Sequence, residues 1–380
     1  MEIKYNKIFI LISILLIIYI RNYIYKNKLI YSIDNINKFI INCHQWRLIN
    51  GIRVPTSEIP KITALIPSFN SSKTIKYAIR SIQNQNMSDL EIIVVDDNSK
   101  DNTTNILKEL QKEDKRIKIL LNKRNMGTLF TRSIGALNAK GKYIMSLDND
   151  DLYIDENIFN ICFEESEKNN IDLLEFIALK SFNTTLEKNK VPEICTYSKY
   201  KRNNFIVKQP ELSSFLYKKK NNEIIRLIDA TIWGKCIKTY IYKLALNTIG
   251  ENIYSQYIIT NEDRIINFVL FKVANSFKFI NKYGIIHYKH TSIVKKLWKY
   301  YTFYNEIFNI EYIYNFTKNT IDVNICAFEL FNYKSNIILG KRHKKIKRKI
   351  NIIINHLLKE EGLTKKNKNK LIKYKKEFNK

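Results

Sequence analysis

Tyr143-Ile144-Met145-Ser146-Leu147, followed at once by Asp148-Asn149-Asp150-Asp151, is a short apolar run that ends in acids. A run of this length bounded by polar residues suits a buried strand. Asp and Asn also close ordinary turns, so the acids gain meaning only from their company. Two other apolar runs end alike: Ile62-Thr63-Ala64-Leu65-Ile66 gives way to Pro67-Ser68-Phe69-Asn70, and Ile92-Ile93-Val94-Val95 to Asp96-Asp97-Asn98-Ser99. Carboxylates beyond strand ends offer hard oxygen ligands to Mg²⁺ or Mn²⁺, which complete their shells with water and substrate phosphates. The ligand so implied is a nucleotide diphosphate.

Between these runs the periodicity changes to that of helices. Ile75, Ala78, Ile79 and Ile82 fall at i, i+3, i+4, i+7, Ile106, Leu107 and Leu110 form a second stripe, and Phe130, Ile134 and Leu137 a third, after a strand-like Ile117 to Leu121. Alternating strand and helix from Lys61 to Asp151 predicts an α/β fold whose parallel sheet is covered on both faces. Ligands of such sheets sit beyond the carboxyl ends of the strands, where the strand order reverses.

Five ordered pieces then carry a resemblance. They are Ala64 to Asn70, Ser81-Ile82-Gln83-Asn84-Gln85, Glu91 to Ser99, Asn125-Met126-Gly127, and Gly135 through Ala139-Lys140-Gly141-Lys142-Tyr143 to Asp151. Together they resemble the nucleotide-sugar domain of family 2 glycosyltransferases. The resemblance implies a GT-A fold, a Rossmann-like, mostly parallel sheet flanked by helices. It implies that Asp97 bonds the nucleotide base, with Pro67 and Phe69 against it, and that Asp148 and Asp150 form the Asp-x-Asp that holds a divalent Mn²⁺ or Mg²⁺. Arg132 matches a position from which the family contacts nucleotide or phosphate.

A base is needed as well, because a sugar hydroxyl is a poor nucleophile until its proton is taken. Asn261-Glu262-Asp263 opens a segment with Ile265, Ile266, Val269 and Leu270 on one helical face. Thr260-x-x-Asp263 also approaches a capping box, and an acid in a first turn is favoured by the helix dipole. The sequence around it, Ile232-Trp233-Gly234-Lys235 before and Ile285 to Ser292 after, resembles the family's acceptor half. In that likeness Asp263 is the general base of an inverting transfer and Glu262 its supporting neighbour.

The remaining signals bound the rest of the chain. No G-x-G-x-x-G or P-loop occurs among the 9 glycines, which argues against a dinucleotide site or an NTPase. The 5 scattered cysteines lack C-x-x-C spacing, so they predict reduced core residues and no zinc site. His287 and His290 have no third partner at zinc-like spacing, which leaves structural roles or a phosphate contact from His287. Ile8 to Ile20 is apolar apart from Ser13 and Tyr19, and no small-x-small cleavage site follows, so a retained single-pass signal anchor is expected, with its membrane face open. Asn70, Asn86, Asn102, Asn183 and Asn315 begin N-x-S/T sequons, and a glycan on Asn70 would obstruct the expected site.

The expected organisation is an anchor over residues 1–25 and a stalk over 26–60. A nucleotide-sugar half follows over 61–180, an acceptor and base half over 181–292, and a basic helical C-terminal extension over 293–380. From Lys341 to Lys380 there are 16 Lys or Arg and 3 Glu, so nearly half of the +28 net charge sits in the tail. No stacking platform accompanies it, which argues against nucleic acid. Apolar residues among the lysines suit a helix on an anionic membrane, or simply a solvated face. The resemblance therefore implies a metal-dependent transfer from a nucleotide-diphospho-sugar, UDP favoured, to a hydroxyl of a glycan, glycoprotein or lipid-linked acceptor. Transfer onto a polyisoprenyl phosphate, which needs no base, and a silent nucleotide-sugar or membrane-binding protein of the same fold are the alternatives.

Overall fold

The computed structural model describes residues 48–49, 52–53, 57–181, 194–196, 204–209, 211–212, 217–220, 223–226, 231–288, 305, 308–317, 344–361 and 363–379. Leu48–Lys380 forms one compact unit. The expected anchor, the sequon at Asn183 and the second histidine, His290, lie outside the described residues. Among the described residues no helix is long and apolar enough to cross a membrane.

The strands of the first half are β1 (Ile62–Ser68), β2 (Leu90–Asp96), β3 (Ile117–Leu121) and β4 (Tyr143–Ser146). Helices α1 (Ile75–Gln83), α2 (Thr103–Glu113) and α3 (Thr128–Asn138) join them. These strands are parallel in the spatial order β4-β1-β2-β3. The order reverses between β1 and β4, so the crevice for a ligand lies at their carboxyl ends. Period-two alternation splits each strand between two layers: Ala64 and Ile66 of β1, with Ile92 and Val94 of β2, pack with Ile79 and Leu107, whereas Leu65, Ile93 and Val95 face Leu129 and Ala136.

The chain continues through β5 (Leu152–Tyr153), α4 (Ile158–Asn169), β6 (Leu173–Ser181), β7 (Ile194–Thr196), β8 (Phe205–Lys208) and β9 (Lys235–Lys238). It then forms α5 (Thr239–Ile249), α6 (Asp263–Val273) and β10 (Ser276–Tyr288). The four strands before Asp148 are parallel as expected, but the sheet that the later strands extend is mixed where a mostly parallel one was expected. β9 lies antiparallel to both β4 and β6, and β8 and β5 run antiparallel to β10, which itself runs parallel to β6. The physical reason lies in the connections. Helical crossovers return β1 to β4 in one direction, but β9 is reached by a long excursion that leaves its direction free.

α3 also departs from the expected apolar stripe. Phe130, Ile134 and Leu137 are only half-buried, and the buried face is Leu129, Arg132, Ser133 and Ala136. Gly135 explains the rotation, because a Cβ there would stand 2.1 Å from Leu65 Cδ1 and 3.0 Å from Val95 Cγ2. The missing side chain lets α3 lie flat on β1 and β2, and that carries the long Arg132 side chain under the helix.

The C-terminal helices α7 (Lys344–Lys359) and α8 (Lys365–Asn379) turn their apolar faces inward. Ile350, Ile354, Leu357, Leu371 and Tyr374 join Ile310, Ile313 and most of α6 in one buried cluster. Within the segment expected as a stalk, Leu48–Ile49 pairs with Ile52–Arg53, and the Arg53 carbonyl accepts the Lys115 N–H at 2.8 Å.

Candidate functional site

The ends of β1, β2 and β4 are stitched into one edge. The Asp97 N–H donates to Ser68 O at 2.8 Å, the Leu147 N–H to Leu65 O at 3.0 Å, and Asn149 Nδ2 to Pro67 O at 3.2 Å. Pro67 is buried in the β1–β2 pairing, while Phe69, just beyond it, is an exposed ring. Asn70, at φ 48°, accepts the Lys100 N–H on its side chain and donates its own N–H to Ser99 Oγ, so its loop is fixed from both sides.

Asp97 is buried and shapes the entry to α3. Its carboxylate accepts the N–H groups of Met126 at 2.8 Å and Gly127 at 2.9 Å, and Asn122 Nδ2 at 2.7 Å. Its neighbour Asp96 accepts from Ser99 and Thr104, which braces the turn after β2.

Arg132 lies at the centre of the acidic residues. Its Nη2 is 3.0 Å from Asp148 Oδ1 and 3.2 Å from Glu262 Oε1, and its Nε is 3.8 Å from Asp263 Oδ1. The structure thus brings Asp148, Glu262 and Asp263 together around the residue that the resemblance marks as a nucleotide contact. Burial works against the Arg132 charge, but the carboxylates of Asp263, Asp148 and Glu262 outweigh it and hold the guanidinium protonated. Burial and the charge of Asp263 push Glu262 up to about 7, against the pull of Arg132. Burial likewise raises Asp263, opposed by Arg132 and by the Ile232 N–H. Neither acid serves as the cap that Thr260-x-x-Asp263 suggests. α6 begins at Asp263 with Glu262 as N-cap and no side-chain cap bond. Arg132 Nε and Nη1, Asp263 Oδ1 and the Tyr242 hydroxyl are all buried without a hydrogen-bond partner among the described residues.

A second cluster joins the far strand to the edge. Asp148, Asp151 and His287 each place a ligand atom within 4.8 Å of the others. Within it, His287 Nδ1 lies 2.9 Å from Asp151 Oδ2, and the Tyr288 N–H donates to Asp151 Oδ1 at 3.0 Å. Trp233 stacks on the imidazole at 5.2 Å between centroids and 18° between planes. Burial pushes Asp151 up to about 7 against the pull of His287; burial opposes the His287 charge in turn, but the bond to Asp151 and its charge outweigh that and raise it. Where the neutral ring carries its proton on Nδ1 toward Asp151, Nε2 offers a lone pair, the arrangement by which carboxylates commonly orient a metal-binding histidine. Oxygen and imidazole donors of this kind suit Mn²⁺ or Mg²⁺.

Asp150 is half-buried and lies outside that trio, although Asp148 is common to it and to the expected Asp-x-Asp. Sequence reasoning does not join Asp151 to His287. The local signal is an imidazole at the end of the apolar run Ile285-Ile286, but nothing in the sequence shows that β10 ends beside β5, the short strand directly after Asp151.

The family model "Glycosyl transferase family 2" matches residues 63–224. The chain is 44% identical over 94 residues to the GalNAc(5)-diNAcBac-PP-undecaprenol beta-1,3-glucosyltransferase of Campylobacter jejuni subsp. jejuni, a match covering 24% of this chain and 30% of that enzyme. It is 32% identical over 219 residues to an uncharacterized glycosyltransferase of Methanocaldococcus jannaschii, covering 55% of this chain and 74% of the relative. Staphylococcus aureus TarS (residues 1–349), solved in complex with UDP-GlcNAc, superposes with a TM-score of 0.59 at 16% identity, covering 84% of this chain and 89% of that one, and so shares the fold. The family match runs through the strands that carry Asp97 and Asp148, and the Methanocaldococcus relative is matched along most of its length, so the chain belongs to glycosyl transferase family 2.

Proposed function

We propose that the protein transfers a hexosyl group from a UDP-sugar to a hydroxyl of a lipid-linked glycan, with inversion and with the help of a divalent cation. The observation that carries this reading is that one guanidinium, Arg132, reaches both Asp148 and Asp263, so a carboxylate suited to a cation and a carboxylate suited to a proton share one crevice. In the transfer, the acceptor oxygen bonds to the anomeric carbon as its proton passes to the Asp263 carboxylate. The bond from that carbon to the diphosphate oxygen breaks on the opposite face, and the electron pair leaves with UDP. Inversion of an α-linked donor gives a β-linkage, in keeping with the beta-1,3 product named for the Campylobacter relative, whose acceptor is undecaprenol-linked.

A bound cation would offset charge on the departing diphosphate. Asp148 and His287 are donors placed to hold it, with Asp151 beside the imidazole as the third of the group and Asp150 as the residue the family likeness adds. Asp97 keeps the loop before α3 in place below the base, and Phe69 offers an exposed face for stacking. A retained anchor at Ile8 to Ile20 belongs to the same reading, since it would keep the crevice near a lipid-borne acceptor.

The test is a thermal-shift screen of UDP-, GDP- and dTDP-sugars with and without Mn²⁺, because a ligand that binds only the native state stabilises it by mass action. UDP-sugars should raise the melting temperature and Mn²⁺ should enlarge the effect, with the Mn²⁺-dependent part lost in Asp150→Ala. An equal response to every donor, or one indifferent to Mn²⁺ and to Asp150→Ala, would refute the donor and metal assignments.

A further inference from the structure

The transfer chemistry leaves the C-terminal helices unexplained. α7 and α8 span 344–359 and 365–379, and their residues are strongly amphipathic with lysine on the polar side. Such helices usually insert their apolar face into a bilayer. Here that face is taken. Ile350, Ile353, Ile354 and Leu357 of α7 and Leu371 and Tyr374 of α8 are buried against Ile310, Ile313 and the helix that begins with Asp263. Tyr314 closes the packing with a 2.7 Å hydrogen bond to Glu360.

What remains outward is mostly polar, with Lys and Arg its commonest residues. Opposite the buried face of α7 stand Arg348, Ile352, Asn355 and Lys359, spaced i, i+4, i+7, i+11, and all are exposed. Opposite the buried face of α8 stand Lys365, Asn369, Lys373 and Lys376, also exposed. The tail from Lys341 has 16 Lys or Arg against 3 Glu, so few acids within it can neutralise this surface. A nucleic acid would use stacking rings beside the charge, but Tyr374 points into the core, and His356 is engaged with Tyr314 at 5.9 Å.

We propose that the α7–α8 hairpin is a docking surface for an anionic phospholipid membrane, held to the headgroups by charge alone without inserting its apolar face. Bilayers carrying acidic lipids attract clustered lysines within a Debye length of the surface. The outward residues provide the complementary charge and, beyond Ile352 and Ile372, little that would enter the hydrocarbon. The surface belongs to the hairpin itself and takes from the lipid-linked acceptor of the proposed function only a reason for the enzyme to be near a bilayer.

The test is lysine acylation footprinting of the full chain on vesicles of phosphatidylcholine alone and of phosphatidylcholine with phosphatidylglycerol. Any apolar amino-terminal contribution is common to both vesicles, so their difference reports charge. Lys359, Lys365, Lys373 and Lys376 should lose reactivity several-fold on the acidic vesicles only and regain it in high salt. Changing Arg348, Lys359, Lys365, Lys373 and Lys376 together to Gln should reduce the preference for acidic vesicles by about fivefold per charge removed. Equal reactivity on both vesicles, an unchanged preference in the variant with all five changes, or protection by a homopolymeric RNA without protection by acidic lipid would overturn the proposal. Because the footprint is read without donor, failure of sugar transfer would bear on the catalytic reading and leave this result untouched.

Discussion

Arg132 faces Asp148, Glu262 and Asp263 at once, a single positive charge among three carboxyls in a largely buried place. Unbalanced charge is costly to bury, so one carboxyl retains its proton near neutrality. Glu262 fits that role, being 6% exposed at the side chain against 30% for Asp148. Its folded value, about 7, stands above that of the unfolded chain. Its contribution to stability is therefore complete below about pH 4.3 and is lost as pH rises through about 7. Glutamine cannot ionise, so the melting temperature of Glu262→Gln relative to the parent should climb between about pH 5 and about pH 8; a difference that stays flat with pH would refute the assignment. At Asp263 the expected outcome is kinetic. Asp263→Asn should lower turnover by about 10²–10⁴-fold, the range for loss of a general base, while calorimetry shows UDP binding intact. Undiminished turnover would remove Asp263 from the reaction. Asp148 and Asp263 were legible because each stands at a recognisable boundary, a strand end and a helix start. The meeting of Arg132 with Glu262 was not, since the two are 130 positions apart and no periodicity connects them.

The crossover from α3 to β4 depends on a close backbone approach. At Gly141 a Cβ would come 2.4 Å from Thr63 N and 2.7 Å from Ile62 C, both main-chain atoms that cannot turn aside, and the Gly141 N–H already donates to Thr63 Oγ1 at 2.9 Å. Gly141→Ala should therefore lower the free energy of unfolding by about 1–3 kcal/mol, the usual cost of overpacking. Denaturant titration checks this, and an unchanged midpoint would mean that the strands part more easily than the contacts suggest. Ile75, Ala78, Ile79 and Ile82 of α1 are all buried, as the i, i+3, i+4, i+7 pattern requires. α3 escaped that reading because its close face is built from small and polar residues, Arg132, Ser133 and Gly135 among them, and hydropathy does not register a helix that approaches by lacking side chains. The direction of β9 escaped for a related reason. A strand buried on both faces has the same apolar pattern whichever way it runs.

Across the whole molecule, the two apolar layers are unequal in reach. One joins α1, α2 and α4 to the sheet from Ile62 as far as Ile285, while the other extends from Leu65 and Val95 through α5 and α6 to Leu371 and Tyr374 near the end of the chain. The C-terminal extension is consequently part of the core, a fact that its lysine-rich composition concealed. Deleting residues 344–380 would uncover Ile310, Ile313 and Tyr314, and stripping even one large apolar side chain from such a core costs about 2–5 kcal/mol. The shortened chain should melt well below the parent by circular dichroism, and an unchanged melting curve would show that the hairpin packs only loosely.

Asn309 Nδ2 donates to Asn261 O at 2.8 Å, and Asn305 Nδ2 to Thr260 Oγ1 at 3.2 Å, so the bend that introduces Asp263, with Asn261 at φ 61°, is fastened by residues that follow it. During synthesis the strands ending in Asp97 and Asp148 are complete long before those asparagines leave the ribosome. A nascent chain would thus complete the edge that carries Asp97 and Asp148 well before it can fasten the bend that introduces Asp263.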